Sequence, residues 1–535
     1  MRALARLLAL AAAVAEVGSS RVAPAADDVV TVALSGARLS GPLPSDFVGY
    51  SIEVQRTQTM LGSPGALRGS FAALMRTLQA LTPGGAGPNI RPGGSSADSV
   101  MWLPDAAQCA GARAGVIYCV NQSDLDAYAA AVRQWNGSVT LDVNLRWLDA
   151  PAVAAAAAHV AAAVATLGWG DGASGGGGVL DGVELGNEPD LFHDGLRPSN
   201  YTYADYLTDF NELLAQLVAR APGALPRPSD GRGVQGGTYC CDRGFTSQWP
   251  SYIAAHAEVL SSASQHVYPG VNGVAGQDDL PWLLSDNCSV AVRAKLSPWA
   301  AAAADRGVRF VVGEGNSVNN GGLHNVSDVC GTALWGADVL FNAAAAGATR
   351  WNFHGGPWDY YDSIRYPNTS LHAPPQVQPL FYGQWLFSAA VANHSALLNA
   401  SVVASTNPRV KVWAALAGDG GGGGGGGRGG VLKVAVLHKD LAAAGAARVT
   451  FTLPAGWAPA AGVAASVARL TCPGPYATAG LAFGGLTFDG SPDGTPSGVP
   501  STETLAPNAD GVSYTLSVPP IAGALVAVQL AAGAR

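Results

Sequence analysis

The sequence predicts an α/β fold: a (β/α)8 TIM barrel with a C-terminal antiparallel β-sandwich domain. Three observations carry this. Strand-like and helix-like segments alternate from about Phe47 to Phe353, in a number and length that suit a closed barrel better than an open doubly wound sheet. No Gly-x-Gly-x-x-Gly opens a helix after the first strand, so a dinucleotide-binding sheet lacks its fingerprint. Beyond Pro375 the pattern changes to short alternating strands separated by turn residues, as in a sandwich.

Taken in order, residues 1–25 read as a secretory signal: Arg2 and Arg6 precede an apolar run from Leu7 to Ala15, with Ala13-Val14-Ala15 or Ala23-Pro24-Ala25 as cleavage sites. An amphipathic first helix is the alternative. Residues 26–45 contain an alternating strand, Val29 to Leu34, expected to join the β-domain before the chain enters the barrel. Residues 46–374 form the barrel. Its strands are expected at Phe47–Ile52, Pro88–Arg91, Val139–Asn144, Val179–Gly186, Val234–Thr238, Ser264–Val267, Val308–Gly313 and Thr349–Phe353. Helices are expected at Asp124–Gln134, Pro151–Leu167 and Tyr203–Arg220. Residues 375–535 form the β-sandwich domain, after a helical piece at Tyr382–Ala392. Two glycine tracts, 168–178 and 418–430, read as flexible insertions. No stretch after the N-terminus is expected to cross a membrane.

The net charge is −8, which argues against nucleic-acid binding and against a broad heparin-type surface. Seven cysteines are few for 535 residues, so disulfides should supplement a large core. Cys109 with Cys119 could close one small loop, and Cys288 with Cys330 could staple the segments around the second glutamate strand, while the connectivity stays open; Cys240, Cys241 and Cys472 remain, one of the seven being left over. No cysteine or histidine spacing suggests zinc, and no cofactor is implied. Sequons at Asn121, Asn136, Asn200, Asn287, Asn325, Asn368, Asn393 and Asn399 agree with a secreted, extracellular chain, or one in a cell wall, lysosome or vacuole. A monomer is expected.

The chemistry lies at two strand ends. In Val183-Glu184-Leu185-Gly186-Asn187-Glu188-Pro189-Asp190, and in Phe310-Val311-Val312-Gly313-Glu314-Gly315-Asn316-Ser317, an apolar β-branched run gives way to a glutamate. Barrel enzymes present catalytic side chains from such C-terminal strand tips. Two carboxylates so placed suit glycoside hydrolysis, one as acid and the other as nucleophile or base. The Asn187 amide is positioned to hold a sugar 2-hydroxyl. Gly313 and Gly315 would let a ligand approach the backbone closely.

Together these motifs resemble the acid/base and nucleophile motifs of glycoside hydrolase family 79, in the clan of Asn-Glu barrel glycosidases that includes β-glucuronidases and heparanase. Gly49-Tyr50-Ser51-Ile52-Glu53, Ile90-Arg91-Pro92-Gly93-Gly94-Ser95, Gln265-His266-Val267-Tyr268, Trp351-Asn352-Phe353-His354-Gly355-Gly356 and Val436-Leu437-His438-Lys439-Asp440 fit in the same order. The resemblance implies Glu314 as nucleophile and Glu188 as acid/base, with Arg91 and Tyr268 as hydrogen-bond donors to Glu314 and His266 nearby. Glu53 is the candidate for ring hydroxyls. Tyr360, Tyr361 and the backbone amides of Gly315 to Ser317, Asn316 included, are candidates for a uronate carboxylate; the two tyrosines, near tryptophan, could equally form an aromatic sugar platform. Gly315 and Val318 depart from the threonine and tyrosine that the family often has there. The implied activity is retaining exo-β-glucuronidase on a glycan or glycoconjugate. The alternatives are a heparanase-like endo-glucuronidase, an arabinofuranosidase or xylosidase of the clan, and a catalytically silent carbohydrate-binding or cell-wall protein.

Overall fold

The structure, a computed structural model, describes residues 28–170, 177–225, 233–241, 244–417 and 429–533. Residues 1–25, expected as a secretory signal, and most of both glycine tracts lie outside these residues.

The chain enters through strand β1 (Asp28–Pro42) and then builds the barrel from β2 (Val48–Glu53), β3 (Asn89–Gly93), β4 (Ser138–Val143), β5 (Leu180–Leu185), β6 (Val234–Tyr239), β7 (Leu260–Val267), β8 (Arg309–Gly315) and β9 (Arg350–Gly355). These eight are parallel, pair in chain order and close, β9 against β2. Alanine-rich helices follow the strands because a parallel crossover needs a covering layer on the outer face. They are α1 (Gly69–Gln79), α2 (Gln122–Val132), α3 (Ala150–Leu167), α4 (Tyr203–Arg220), α5 (Trp249–His256), α6 (Val290–Ala304), α7 (Cys330–Ala346) and α8 (Pro379–Val391). Capping boxes at Asn121 with Asp124 and at Thr202 with Asp205 start α2 and α4.

Helix α8 packs on α7 through Phe341 against Phe387, so it completes the helical ring; the helical piece placed after residue 375 sits against the barrel. Helix α3 has the length and mean hydropathy, 1.7, to span a bilayer, contrary to the expectation that no such stretch exists. Here it packs between α2 and α4 as a barrel helix, its apolar character coming from alanine.

The β-domain contains β10 (Ala396–Ser405), β11 (Val410–Leu416), β12 (Val431–His438), β13 (Ala447–Thr452), β14 (Ala465–Thr471), β15 (Ser513–Val518) and β16 (Ala522–Gln529). With short additional strands they form one hydrogen-bonded sheet, ordered β14-β16-β12-β11-β10-β1-β13-β15, which wraps around its own core of Val30, Val434, Phe451, Tyr514 and Val526. Strand β1 is antiparallel to β10 but parallel to β13, among the described residues the one parallel pairing in a mostly antiparallel sheet. The barrel core runs into this domain through Leu397, Leu437, Phe483 and Leu525. A fully buried ion pair between Lys439 and Asp338 of α7 adds a polar lock, with the Trp413 indole N–H donating to Asp338 at 2.9 Å.

Cys109 pairs with Cys119. Cys288 does not pair with Cys330; it is a free, buried thiol, and Cys330 bonds Cys472, tying the start of α7 to the end of β14. Spacing along the chain pointed to the nearer cysteine, whereas domain docking brings Cys472 alongside. Cys240 bonds its neighbour Cys241.

Candidate active site

Glu188 and Glu314 meet at the C-terminal mouth of the barrel. Carboxyl oxygens of the two and the His266 ring nitrogen lie within 4.8 Å of one another. Glu188 stands just beyond β5 with φ +48°, a left-handed conformation that a side chain adopts only when its surroundings enforce it. The tip of β6 supplies that enforcement: the Glu188 N–H donates to the Thr238 carbonyl at 3.1 Å, and Thr238 Oγ1 donates to the Gly186 carbonyl at 3.0 Å. Pro189 then starts a 3-10 turn. Glu314 lies within β8, where pairing slips on both flanks, next to His266 of β7 and before Phe353 of β9. Such irregularities re-aim a side chain at a barrel rim.

The two carboxyl groups have opposite surroundings. Glu314 is 5 % exposed, and burial alone would raise its pKa. The His354 and His266 rings, the Arg91 guanidinium and the Tyr268 hydroxyl overcome this and hold it down at about 2. Arg91 Nη1 donates to Glu314 Oε2 at 2.7 Å, and Tyr268 O–H donates to Oε1 at 2.7 Å. Burial and the Glu314 charge push Glu188 up, opposed by the His266 Nδ1 contact at 2.9 Å. One group is therefore held ionised and the other biased toward its acid form.

Arg91, completely buried, is the hub. It also contacts Glu184, Asp142 (3.0 Å), Ser51 Oγ (3.1 Å) and Asn187 Oδ1 (2.8 Å). The Asn187 N–H donates to Asp98 at 2.8 Å, and among the described residues its Nδ2 has no hydrogen-bond partner, leaving that amide free for a ligand. Burial above all holds Asp98 up at about 6 and Asp142 well above the usual range. Glu53 lies 3.6 Å from His354 Nε2 and accepts from the Ser96 hydroxyl and, at 2.9 Å, the Ser96 N–H; burial raises its pKa, but His354 and the Ser96 hydroxyl outweigh this and lower it. His354, quoted in a motif but given no role from sequence, bridges the cluster: Nδ1 is 2.9 Å from Ser51 Oγ and 3.4 Å from Glu314 Oε2. Burial disfavours its charge, but Glu314 and Glu53 raise its pKa on balance. Its signal was position, at a strand tip, as for the glutamates.

Three candidates sit differently from expectation. Asn316 is fully buried; its Nδ2 donates to the His354 and Tyr361 carbonyls, its N–H to Val267 O, and its Oδ1 accepts the Ser317 N–H. These amides brace the loop and are not available to a substrate carboxylate. Gly315 is required by packing: a Cβ there would lie 2.7 Å from the Val267 carbonyl and 2.9 Å from the Trp351 ring. Tyr360 is 43 % exposed and packs against His324 and Arg365, outside the catalytic pocket. Tyr361 is the inward one. Its ring lies 6.2 Å from Tyr268 and 6.1 Å from His354, and among the described residues its hydroxyl has no hydrogen-bond partner.

Beside the acid, the Cys240–Cys241 turn donates both N–H groups to the Asp190 carboxylate, at 3.2 and 2.8 Å. Among the described residues, two sets could converge on a cation: Asp190 with Cys240 and Cys241, and Glu188 with His266 and Glu314. In the first the sulfurs are bonded to each other, so they are not thiolate ligands. In the second the lone pairs already face His266, Arg91 and Tyr268.

No family model matches the chain. It is 24 % identical over 341 residues to a β-glucuronidase of Aspergillus niger, a match covering 58 % of this chain and 60 % of that protein. Its fold is similar to that of a 4-O-α-L-rhamnosyl-β-D-glucuronidase from Fusarium oxysporum, with TM-score 0.70, 19 % identity, and 93 % of this chain and 99 % of that one covered. A family 51 arabinofuranosidase from Xanthomonas axonopodis pv. citri gives TM-score 0.64 at 13 % identity, covering 94 % and 100 %. The (β/α)8 barrel with an appended, mostly antiparallel sheet is thus an architecture shared with glycosidases.

Proposed function

We propose that the protein is a secreted retaining glycoside hydrolase that removes terminal β-D-glucuronosyl residues from glycans or glycoconjugates. The observation that carries this is the close pair of carboxyl groups, with oxygens within 4.8 Å and opposed electrostatic settings. Retaining enzymes place the two groups about 5–5.5 Å apart, whereas inverting ones need room for a water. Glu314, ionised, attacks the anomeric carbon. Glu188 gives its proton to the departing oxygen. The Glu314–glycosyl ester removes the negative charge that raised Glu188, which then takes a proton from the incoming water. Arg91 and Tyr268 hold the nucleophile in line, and the free Asn187 Nδ2 faces the sugar 2-hydroxyl.

The Tyr361 hydroxyl is the donor nominated for the uronate carboxylate, and Glu53 for neighbouring hydroxyls. The likeness to the Aspergillus β-glucuronidase supports the choice of sugar. An arabinofuranosidase or xylosidase is the second reading, favoured by the fold shared with the Xanthomonas enzyme. An endo-acting, heparanase-like enzyme would want basic clusters along its cleft, which the low lysine and scattered arginine content disfavours. Disulfides in a chain rich in sequons support an oxidising, extracellular destination. The test is a panel of aryl glycosides. We expect kcat/KM for the β-glucuronide to exceed that for the β-glucoside by at least about 100-fold, because a site built to hydrogen-bond a polar group rejects analogues that leave its donors unpaired. Equal rates on both sugars would remove the glucuronidase reading, and no hydrolysis of any glycoside would leave a binding protein.

A further inference from the structure

A cavity of about 630 Å³ opens between the loops after β8 and β9 and the β-domain loop around Asp489. A site of that volume holds a ligand of disaccharide size. Two neighbouring rings, His324 and Tyr360, 5.6 Å apart and both exposed, form one wall. The Arg365 guanidinium lies 5.5 Å from the Tyr360 ring centroid. Among the described residues it forms no ion pair and one side-chain hydrogen bond, to the Trp358 carbonyl at 3.2 Å, so most of its N–H groups are unused. The lining is mixed in charge, Arg365 against Asp328 and Asp489. A strongly anionic ligand would meet the aspartates as well as the cation.

A sequon stands in that wall. Asn325-Val326-Ser327 falls between the lining residues His324 and Asp328. Asn325 is exposed, with φ +62°, a conformation that asparagine tolerates better than most side chains. Asp328 fixes it there: one carboxylate oxygen accepts the Asn325 N–H at 2.7 Å, and the other faces His324 Nδ1 at 2.8 Å. Among the described residues Asn325 Nδ2 has no hydrogen-bond partner. Two other sequons differ. Asn136 Nδ2 donates to the Gly85 carbonyl at 3.1 Å, and the Asn121 side chain is spent on capping α2.

We infer that Asn325 carries an N-linked glycan whose first two N-acetylglucosamine units fold back into this cavity, over the His324 and Tyr360 rings. This rests on the secreted destination proposed above, not on the catalytic reading. In the secretory route the Asn325 amide nitrogen attacks C1 of an oligosaccharide held on a lipid pyrophosphate. The N–C1 bond forms, the C1–O bond to the pyrophosphate breaks, and the nitrogen loses one proton. The attached sugar suits the lining. Its apolar ring face packs on an aromatic ring, its acetamido carbonyl accepts from Arg365, and its hydroxyls and acetamido N–H donate to the aspartates. The reach is short, since His324 directly precedes Asn325 and its ring is 5.6 Å from that of Tyr360. Held so, the glycan joins the barrel loops to the β-domain at Asp489.

The full chain is expressed in a eukaryotic secretory host, once with its own N-terminus and once behind a proven leader, and glycopeptide mass spectrometry reads each sequon. Asn325 should be occupied. Peptide N-glycosidase should release its glycan from the native protein at least about tenfold more slowly than glycans at Asn200 and Asn399, exposed sequons outside the lining, a slowing that corresponds to about 1.4 kcal/mol of occluding contact. In Tyr360→Ala, and in Arg365→Ala as a second variant, the difference should collapse, as it should on denaturing the wild-type protein. An unoccupied Asn325, equal release from the native protein, or resistance that survives both substitutions overturns the inference. Export only behind the supplied leader would defeat the secretory reading of residues 1–25, and occupancy and release in that form still decide on the cavity.

Discussion

Tyr268→Phe isolates how Glu314, the proposed nucleophile, is kept ionised. The change deletes one O–H that donates to Glu314 Oε1 at 2.7 Å and leaves a ring of nearly the same shape beside Tyr361. Burial, helped by the Glu314 charge, lifts the Tyr268 hydroxyl well above the usual tyrosine range, so it is a donor at every working pH. A hydrogen bond to a charged group contributes about 1.5–3 kcal/mol. One pH unit corresponds to about 1.4 kcal/mol. The Glu314 pKa should therefore climb about 1–2 units from its value of about 2. The sign follows from which form the donor favours: it stabilises the carboxylate, so its loss favours the acid. Catalysis needs the carboxylate, so the acidic limb of the kcat/KM profile should move upward while the alkaline limb, set by Glu188, stays. Stability changes in parallel. A pKa held below the unfolded value of about 4.5 contributes stability above that pH, lost as pH falls toward about 2. The variant should lose part of this contribution at neutral pH. The assay is the pH dependence of kcat/KM on an aryl β-glucuronide for both proteins in parallel, so that titration of the substrate cancels. Superimposable acidic limbs, or movement of the alkaline limb alone, would refute the argument.

Glu314→Gln should abolish turnover with the fold retained, since an amide does not attack the anomeric carbon; Glu188→Ala should keep activity on activated aryl leaving groups, and azide should restore it as the β-glycosyl azide, detectable by mass spectrometry. Wild-type rates in both variants would sink the assignment. Arg91→Met leaves Glu184, Asp142 and Glu314 buried around a vanished cation, and denaturant titration should show a loss of about 3–5 kcal/mol. A fall below about 1 kcal/mol would mean that the cluster relaxes by neutralisation. Replacing Cys240 and Cys241 by serine should loosen the turn that braces Asp190, lowering kcat/KM about tenfold on poor leaving groups and far less on activated ones, because the effect acts through Glu188. A mild reductant should impose the same leaving-group dependence on the wild-type enzyme and leave the double variant unmoved.

The amino-acid sequence by itself determined the barrel, the eight strands and the two glutamates. These are local signals: a β-branched run buried on both faces, ended by a polar residue, reads the same in any context. The helices α3 and α4, and the strand Val29 to Leu34 that joins the β-domain, were legible for the same reason. Tertiary structure decided whatever depends on who lies across the barrel. Asn316 and Tyr361 both look like loop polar groups in sequence; docking of the β9 loop on the β8 loop consumes the first as a brace and turns the second toward Tyr268 and Glu314. Tyr360, one residue away, is turned outward. His354, Ser51, Glu184 and Asp142 became members of the site only when barrel closure brought β9 against β2 and wrapped β3, β4 and β5 around one guanidinium. Cys330 found Cys472 rather than Cys288 because the β-domain packs on α7, a juxtaposition of segments 142 residues apart that no local spacing encodes. Period and turn chemistry are properties of neighbours in the chain, whereas ionisation, pairing and exposure are properties of neighbours in space.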